Sequence, residues 1–270
     1  MMGPQHALSG AATWLAGSWV AAQFFDYPQS ATTIAVGAAV CAGGALLPDL
    51  DMSGKVTKGQ GGSTVSRSFG VASLFVAEVI EKISVGVYTA TKLSKDPDRH
   101  NGHRTLTHTL PFAALMGFGS IWLCTRYGRW AVIGILFFMF GFALRGLFDK
   151  WADRAGWVIV TITSGAAAYF AFNFLPSENR GYPMIGLAVG VGCIVHLMGD
   201  IVTRAGVPIL WPIPTGRRMW RMIGLPDTFA IEAGSKVETT VLRTVFTIIS
   251  LVAGAGLLAP ALLKRFDIEI

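Results

Sequence analysis

Five histidines occur in the 270 residues, at positions 6, 100, 103, 108 and 196, and several carboxylates lie close to them in the chain. The run His196-Leu197-Met198-Gly199-Asp200 puts an imidazole and a carboxylate four residues apart, hence on one face of a helix. Such a pair can hold a cation through nitrogen and oxygen, donor types that zinc and similar metals accept. The plainer alternative is a His–Asp hydrogen bond joining two helices, and the spacing alone leaves both open. Leu46-Leu47-Pro48-Asp49-Leu50-Asp51 sets two carboxylates at the C-terminal end of a helix. The helix dipole disfavours negative charge there, and the two carboxylates repel each other. A bound cation or a nearby arginine would offset both costs; the alternative is a solvated turn.

The densest cluster is His103-Arg104-Thr105-Leu106-Thr107-His108. On a straight helix a spacing of five separates two rings by about 140°, so both reach one ion only if His103 precedes the helix. Arg104 could pair with a carboxylate or clamp a phosphate, and Thr105 or Thr107 could cap the helix. His100 sits in a charged loop and reads as solvated; His6, taken alone, reads as packed or interfacial. Gly59-Gln60-Gly61-Gly62-Ser63-Thr64 lacks the lysine of a phosphate-binding loop and reads as a linker. Trp211 and Trp220, close to Arg217, Arg218 and Arg221, suit a basic aromatic belt at the headgroups, and could equally help to recognise a lipid phosphate.

The elements that must position these residues are apolar helices. Seven segments are long and apolar enough to be read as spans, at approximately 5–25, 31–47, 105–124, 130–148, 156–175, 183–203 and 239–263. Gly, Ala and Ser dilute the first. Pro28, Pro48, Pro176, Pro183 and Pro260 fall at segment ends, where helix breakers belong. The expected architecture is all-α, a polytopic transmembrane helix bundle forming one domain over 1–270, with polar inserts at about 49–104 and 204–238. Within the first insert, Lys55 to Ser68 reads as flexible, being rich in Gly and Ser. Phe69 to Leu93 carries Glu78, Glu81 and Lys82 and reads as a helix at the interface or packed on the bundle.

If the two inserts and the turn after the fourth span share one side, that side holds 16 of the 22 lysines and arginines, and the opposite side five. The richer side is expected to be cytoplasmic. In this topology His6, Asp49, Asp51, His103, His108, His196 and Asp200 all fall at the cytoplasmic end. Segments separated by more than a hundred residues thus deliver histidine and aspartate to one depth.

Composition supports the membrane reading. The chain is 52% hydrophobic and 14% charged, against about 25% charge in ordinary soluble domains, and its mean hydropathy is +0.53. Thr105 to Cys124 contains no ionisable group of consequence except His108. Cys41, Cys124 and Cys193 are odd in number and lie in apolar runs, which argues against a disulfide framework or a cysteine metal site. No basic residue precedes the first apolar stretch, which argues against a cleaved signal peptide. The net charge of +6 is accounted for by lysines and arginines at membrane-flanking positions, so membrane lipids rather than nucleic acid are the expected partners.

In their order, an N-terminal His (His6), Leu-Leu-Pro-Asp-x-Asp (Asp49 and Asp51), His-Arg-x-x-Thr-His (His103 to His108), His-x-x-x-Asp (His196 and Asp200) and Ala-Gly-Val-Pro-x-Leu-Trp-Pro (Ala205 to Pro212) resemble the YdjM-type membrane-bound metal-dependent hydrolases. A late Gly-x-x-x-Glu element matches Gly234 and Glu238. The motifs run from residue 6 to 238. The resemblance implies a helical membrane hydrolase with a divalent-metal site, distantly similar to zinc-dependent phospholipase C and related nucleases. The long 49–104 insert and the extra span region around 130–175 depart from the family pattern. On this reading His6, Asp49, Asp51, His103, His108, His196 and Asp200 hold one or more metals, zinc being the expected one. Glu238 or one of the aspartates serves as general base, and Arg104 stabilises an anionic transition state. A lipid phosphoester is the substrate class expected from the depth of the site. Two rivals remain: a non-catalytic membrane protein whose metal or polar cluster only joins helices, favoured by a saturated ligand set, and a metal or proton transporter, favoured by ligands at several depths.

Overall fold

The computed structural model describes residues 1–52, 63–176 and 181–265, with side chains as far as residue 257. Among them the chain is helical, with no strand. The α-helices are α1 (Gly3–Phe24), α2 (Ala31–Gly44), the short α3 (Ser63–Ser66), α4 (Val71–Thr91), α5 (Leu110–Tyr127), α6 (Arg129–Leu147), α7 (Asp149–Phe174), α8 (Gly181–Ile201) and α9 (Arg243–Arg265). Two 3-10 turns, Leu47–Asp51 and Leu106–His108, and a π-helical turn, Val237–Leu242, lie at the ends of α2, α5 and α9.

A helix stands at each of the seven expected spans. Five stretches, at Ala31–Asp51, Arg129–Leu147, Asp149–Phe174, Gly181–Ile201 and Val237–Leu257, are long and apolar enough to cross a membrane by length and composition. The expectation of seven is met in helix placement but not in apolarity. Small and hydroxylated side chains dilute α1, and α5 begins later than Thr105. Pro111 lies in the first turn of α5, where its missing N–H is harmless; a helix begun at Thr105 would bury that proline in its interior. The caps also differ from expectation, since Thr109, not Thr105 or Thr107, accepts the amide of Phe112 (3.3 Å). Ser30 does the same for α2, taking the Thr33 amide at 3.1 Å.

The bundle is built around α2, which packs against α1, α6 and α8. In the stretch containing it, 67% lies inside the protein, against 6% in the stretch leading into α9. The sequence of α2 is nearly all small residues, so backbones approach closely where hydrocarbon supplies no hydrophobic drive between helices. A Cβ on Gly43 would lie 2.1 Å from the Met139 carbonyl oxygen of α6, and one on Gly192 of α8 would lie 2.4 Å from that of Cys41. Helices α7 and α9 are peripheral, with Ile162, Phe170, Leu251 and Val252 exposed. In an apolar solvent that exposure carries no penalty.

The first insert does not lie on the bundle as a conventional amphipathic helix. Helix α4 buries Ser73, Ala77, Ser84 and Tyr88 and exposes Val71, Phe75, Val76 and Ile83. An outward apolar face of this kind suits a helix at the bilayer interface. Most of the expected linker, 55–62, lies outside the described residues; its remainder is not irregular, since α3 forms there with Val65 buried. The aromatic belt falls elsewhere than expected. Trp220 is 3% exposed, stacked on Trp211 and against Tyr88. Exposed Trp122, Tyr127 and Trp130 instead flank the α5–α6 corner, where Arg126 and Arg129 lie over the Tyr127 and Trp130 rings.

Candidate metal and hydrolytic site

Five parts of the chain meet at one end of the bundle: the first turn of α1, the 3-10 turn after α2, the loop and 3-10 turn before α5, the last turns of α8, and the π-helical turn before α9. The first four bring together all seven residues expected to bind metal. His6, His108 and His196 are fully buried, and Asp49, Asp51 and Asp200 are 1–4% exposed. His103 is partly exposed and lies before the helix, as its spacing from His108 requires.

The tautomers follow from what each ring nitrogen faces. His196 Nδ1 lies 2.7 Å from the Ala45 carbonyl oxygen, which can only accept, so Nδ1 carries the proton. His108 Nδ1 lies 3.0 Å from Thr107 Oγ1 and 3.4 Å from Asp51 Oδ2. Because the Thr107 hydroxyl donates to Asp51 Oδ2 (2.6 Å), its oxygen is left to accept, and His108 Nδ1 is again the protonated nitrogen. In their neutral forms both rings therefore turn an Nε2 lone pair inward, and these two atoms face each other at 3.2 Å. Asp49 Oδ1 lies 3.8 Å from both. Asp200 Oδ2 lies 3.6 Å from His108 Nε2 and 3.8 Å from His196 Nε2. His6 stacks on His196 at 3.7 Å between centroids. Among the described residues neither of its nitrogens has a hydrogen-bond partner, although Nε2 stands 3.3 Å from Asp200 Oδ1.

Two triads have donor atoms within 4.8 Å of one another, His6–His196–Asp200 and Asp49–His103–His108. The contacts between His108 and Asp200 and between His196 and Asp49 join them into one cluster. The donors fit a divalent ion. Four ligands at zinc distances stand about 3.3–3.4 Å apart around a tetrahedron, close to the separations found here. Buried lone pairs and carboxylates crowded together need a cation or protons to offset their repulsion.

Asp51 has both oxygens engaged, Oδ1 with His103 Nδ1 (3.0 Å) and Oδ2 with Thr107. Partial burial works against charge on His103, yet the Asp51 carboxylate beside it raises the pKa of that ring above its ordinary value. Arg104 is committed to structure as well. One nitrogen reaches Asp200 Oδ2 at 3.0 Å, and another donates to Thr203 Oγ1 (3.2 Å) and to the Gly206 carbonyl (3.1 Å). Its φ of +56° is unusual for a residue with a side chain. Arg99 holds that backbone in place by donating to the carbonyls of His103 and Arg104. Glu238, in the π-helical turn, is fully buried; it accepts the Met2 amide through Oε1 and the Gly234 amide through Oε2 (2.7 Å). The Met1 amino group bonds Asp200 Oδ1. His100 is exposed, as its charged loop implies.

Sequence reading missed the residues that orient the histidines. Thr107 carried a signal, being a hydroxyl next to His108. The Ala45 carbonyl carried none, because a main-chain oxygen leaves no mark in the sequence. Asp96 was also missed: it accepts amides from Leu93, Met219 and Trp220, fastening the second insert to the first behind the site.

No curated protein and no solved structure matches the chain. A family model does, the YdjM inner membrane protein, over residues 1–262. That match takes in every residue of the cluster, and with the apolar helices it makes this an integral inner-membrane protein. The chain belongs to the YdjM inner membrane protein family.

Proposed function

We propose that the protein is a metal-dependent hydrolase of the cytoplasmic membrane face, acting on a lipid phosphoester. The observation that carries this reading is the pair of inward Nε2 atoms, 3.2 Å apart and flanked by two carboxylates. Neutral imidazoles fixed by a carbonyl or carboxylate on the far nitrogen are the usual metal-ligand arrangement. His6, Asp49, His103, His108, His196 and Asp200 would hold one or more divalent ions, with zinc favoured by the mixed nitrogen and oxygen donors. Such an ion, when bound, lowers the pKa of water and polarises the bond to be broken. Asp51 orients His103 and His108. Asp49 is the group assigned to take the proton from water as the water oxygen bonds to phosphorus, and to return it to the alkoxide oxygen as the phosphorus–oxygen bond breaks and the alcohol leaves. Arg104 holds Asp200 and adds positive charge beside the phosphoryl oxygens. Glu238, with both oxygens on backbone amides, is assigned to fixing the N-terminal segment rather than to the base role.

The test is metal content by mass spectrometry on detergent-purified protein, beside His108→Ala and Asp200→Ala, followed by phosphate release from phosphatidic acid vesicles. Stoichiometric metal lost in both variants, together with metal-dependent release, is the expected result. Folded wild type that binds no added ion would overturn the reading. Metal without hydrolysis of any phospholipid would favour the second reading, an ion that only joins helices, for which the near-complete burial of the ligands speaks.

A further inference from the structure

Beside the cluster, α8 and α9 stand apart, because α9 packs mainly on α1. The cleft between them is an apolar cavity of about 490 Å³. Thr13 of α1, Val195, Met198 and Gly199 of α8, Leu242 of the π-helical turn and Phe246 of α9 form its walls. Of the two hydroxyl-bearing residues on its wall, Ser9 and Thr13, the Ser9 hydroxyl turns away to donate to the His6 carbonyl at 2.9 Å. On its outer side Met198 is 45% exposed, so in a membrane the cleft is open to lipid.

The inner end of the cleft meets the site. Gly199 forms the floor between Met1 and His6: a Cβ there would lie 2.4 Å from Met1 Cε and 3.2 Å from His6 Cε1. The next residue, Asp200, belongs to the cluster. A ligand lying in the cleft therefore ends beside the His6–Asp200 layer, with Gly199 and the Met1 side chain between.

The dimensions select the occupant. The wall residues on α8 run from Val191 to Val202, a rise of about 16 Å at 1.5 Å per residue. With the walls a water radius beyond that 490 Å³ space on each side, the side-open groove is about 9 Å wide over that length, against the ~10–12 Å diameter of a helix with its side chains. A single hydrocarbon chain seats in it fully, and a helix from another chain does not. One end of the channel is hydrocarbon-like and the other lies at a cation-binding cluster, which complements a lipid whose headgroup carries phosphate.

We infer that the cleft between α8 and α9 seats one acyl chain of a phosphate-headed membrane lipid and so delivers its phosphoester to the cluster. The inference rests on the hydrolase reading for the cation that meets the phosphate, whereas the seat for the chain rests on the cleft alone. The full-length protein is reconstituted in phosphatidylcholine nanodiscs with phosphatidic acid carrying a diazirine midway along one acyl chain. Diacylglycerol with the same labelled chain and no phosphate serves as comparison. After photolysis, adducts are mapped by mass spectrometry and metal content is measured on the same samples.

The expected result is an excess of phosphatidic acid adducts, roughly tenfold, at Val195, Met198, Leu242 and Phe246, with equal labelling by both probes on the outer face of α7. Val195→Trp should remove the excess by filling the channel, with Thr13→Trp doing so from the opposite wall should the first variant misfold. Ile162→Trp, on the lipid-facing surface of α7, should leave it intact. Equal labelling by the two probes throughout, with metal bound, would overturn the acyl seat and leave the hydrolase reading standing. Excess labelling in protein that binds no metal would keep the seat and sink the hydrolase reading.

Discussion

Each imidazole of the cluster is useful to a metal only while its outer nitrogen keeps the proton, and the groups that ensure this do not themselves face the centre. Asp51→Asn would weaken acceptance from the Thr107 hydroxyl and from His103, and Thr107→Val would strip the His108 Nδ1 proton of its nearest acceptor. Both variants should retain full helix content and lose roughly ten- to a hundred-fold in metal affinity, measured by chelator competition on purified protein. Unchanged affinity in both would mean that the outer bonds do not hold the rings. At this scale the sequence was informative where chemistry and periodicity coincide. His196 and Asp200 fall on one face because four residues make about one helical turn, and Asp49 with Asp51 stood out because carboxylates at a helix C-terminus need a counter-charge. Periodicity does not specify which partner a carboxylate takes. The division between Asp49, facing His108 and His196, and Asp51, holding His103 and His108 from behind, emerged only from the distances.

Helix positions were legible from apolar runs and prolines, whereas the corners between helices were not, because corners are set by single hydrogen bonds and close approaches. The α2–α8 contact shows how little tolerance the elements have. A Cβ on Gly192 would meet the Cys41 carbonyl oxygen, the Ala45 nitrogen and the Gly44 carbonyl carbon, all within 2.4–2.8 Å and all backbone. Gly192→Ala must push the two helices apart, at a cost of about 1–3 kcal/mol for an overpacked site, and must move the Ala45 carbonyl away from His196. A lower midpoint of thermal unfolding in detergent together with lost metal is expected. Gly134→Ala, where a Cβ meets nothing within 4 Å, should be neutral or slightly stabilising by helix propensity. Equal behaviour of the two variants would refute close approach as the constraint. The inserts are joined by an analogous single point. Asp96→Ala would leave the amides of Leu93, Met219 and Trp220 without their acceptor, a penalty of about 1–3 kcal/mol for each one left buried and unpaired. Hydrogen exchange should then accelerate across 211–223 while α2 and α8 keep their protection. No change there would mean that the stacking of Trp220 with Trp211 and Tyr88 suffices to hold the second insert.

Seen as a whole, the molecule is polarised along the bundle axis. The helix ends at the cluster carry both inserts and most of the positive charge, while the other end is a short Gly128 corner ringed by exposed Trp122, Tyr127 and Trp130. By the positive-inside rule the insert side is expected in the cytoplasm, and the proposal of a cytoplasmic lipid substrate depends on that placement. The native cysteines are buried, so a single introduced thiol reports cleanly. His100→Cys in the exposed loop of the first insert should resist a membrane-impermeant maleimide in intact spheroplasts and react in inverted vesicles. Tyr127→Cys at the opposite corner should do the reverse. Metal content should be unaffected by either change, since neither side chain contacts the cluster among the described residues. If His100→Cys labelled in spheroplasts instead, the cluster would open to the outer leaflet. The same geometry would then serve lipids or phosphoesters on that side, and the charge bias would have to be attributed to the protein's own polar contacts rather than to its insertion.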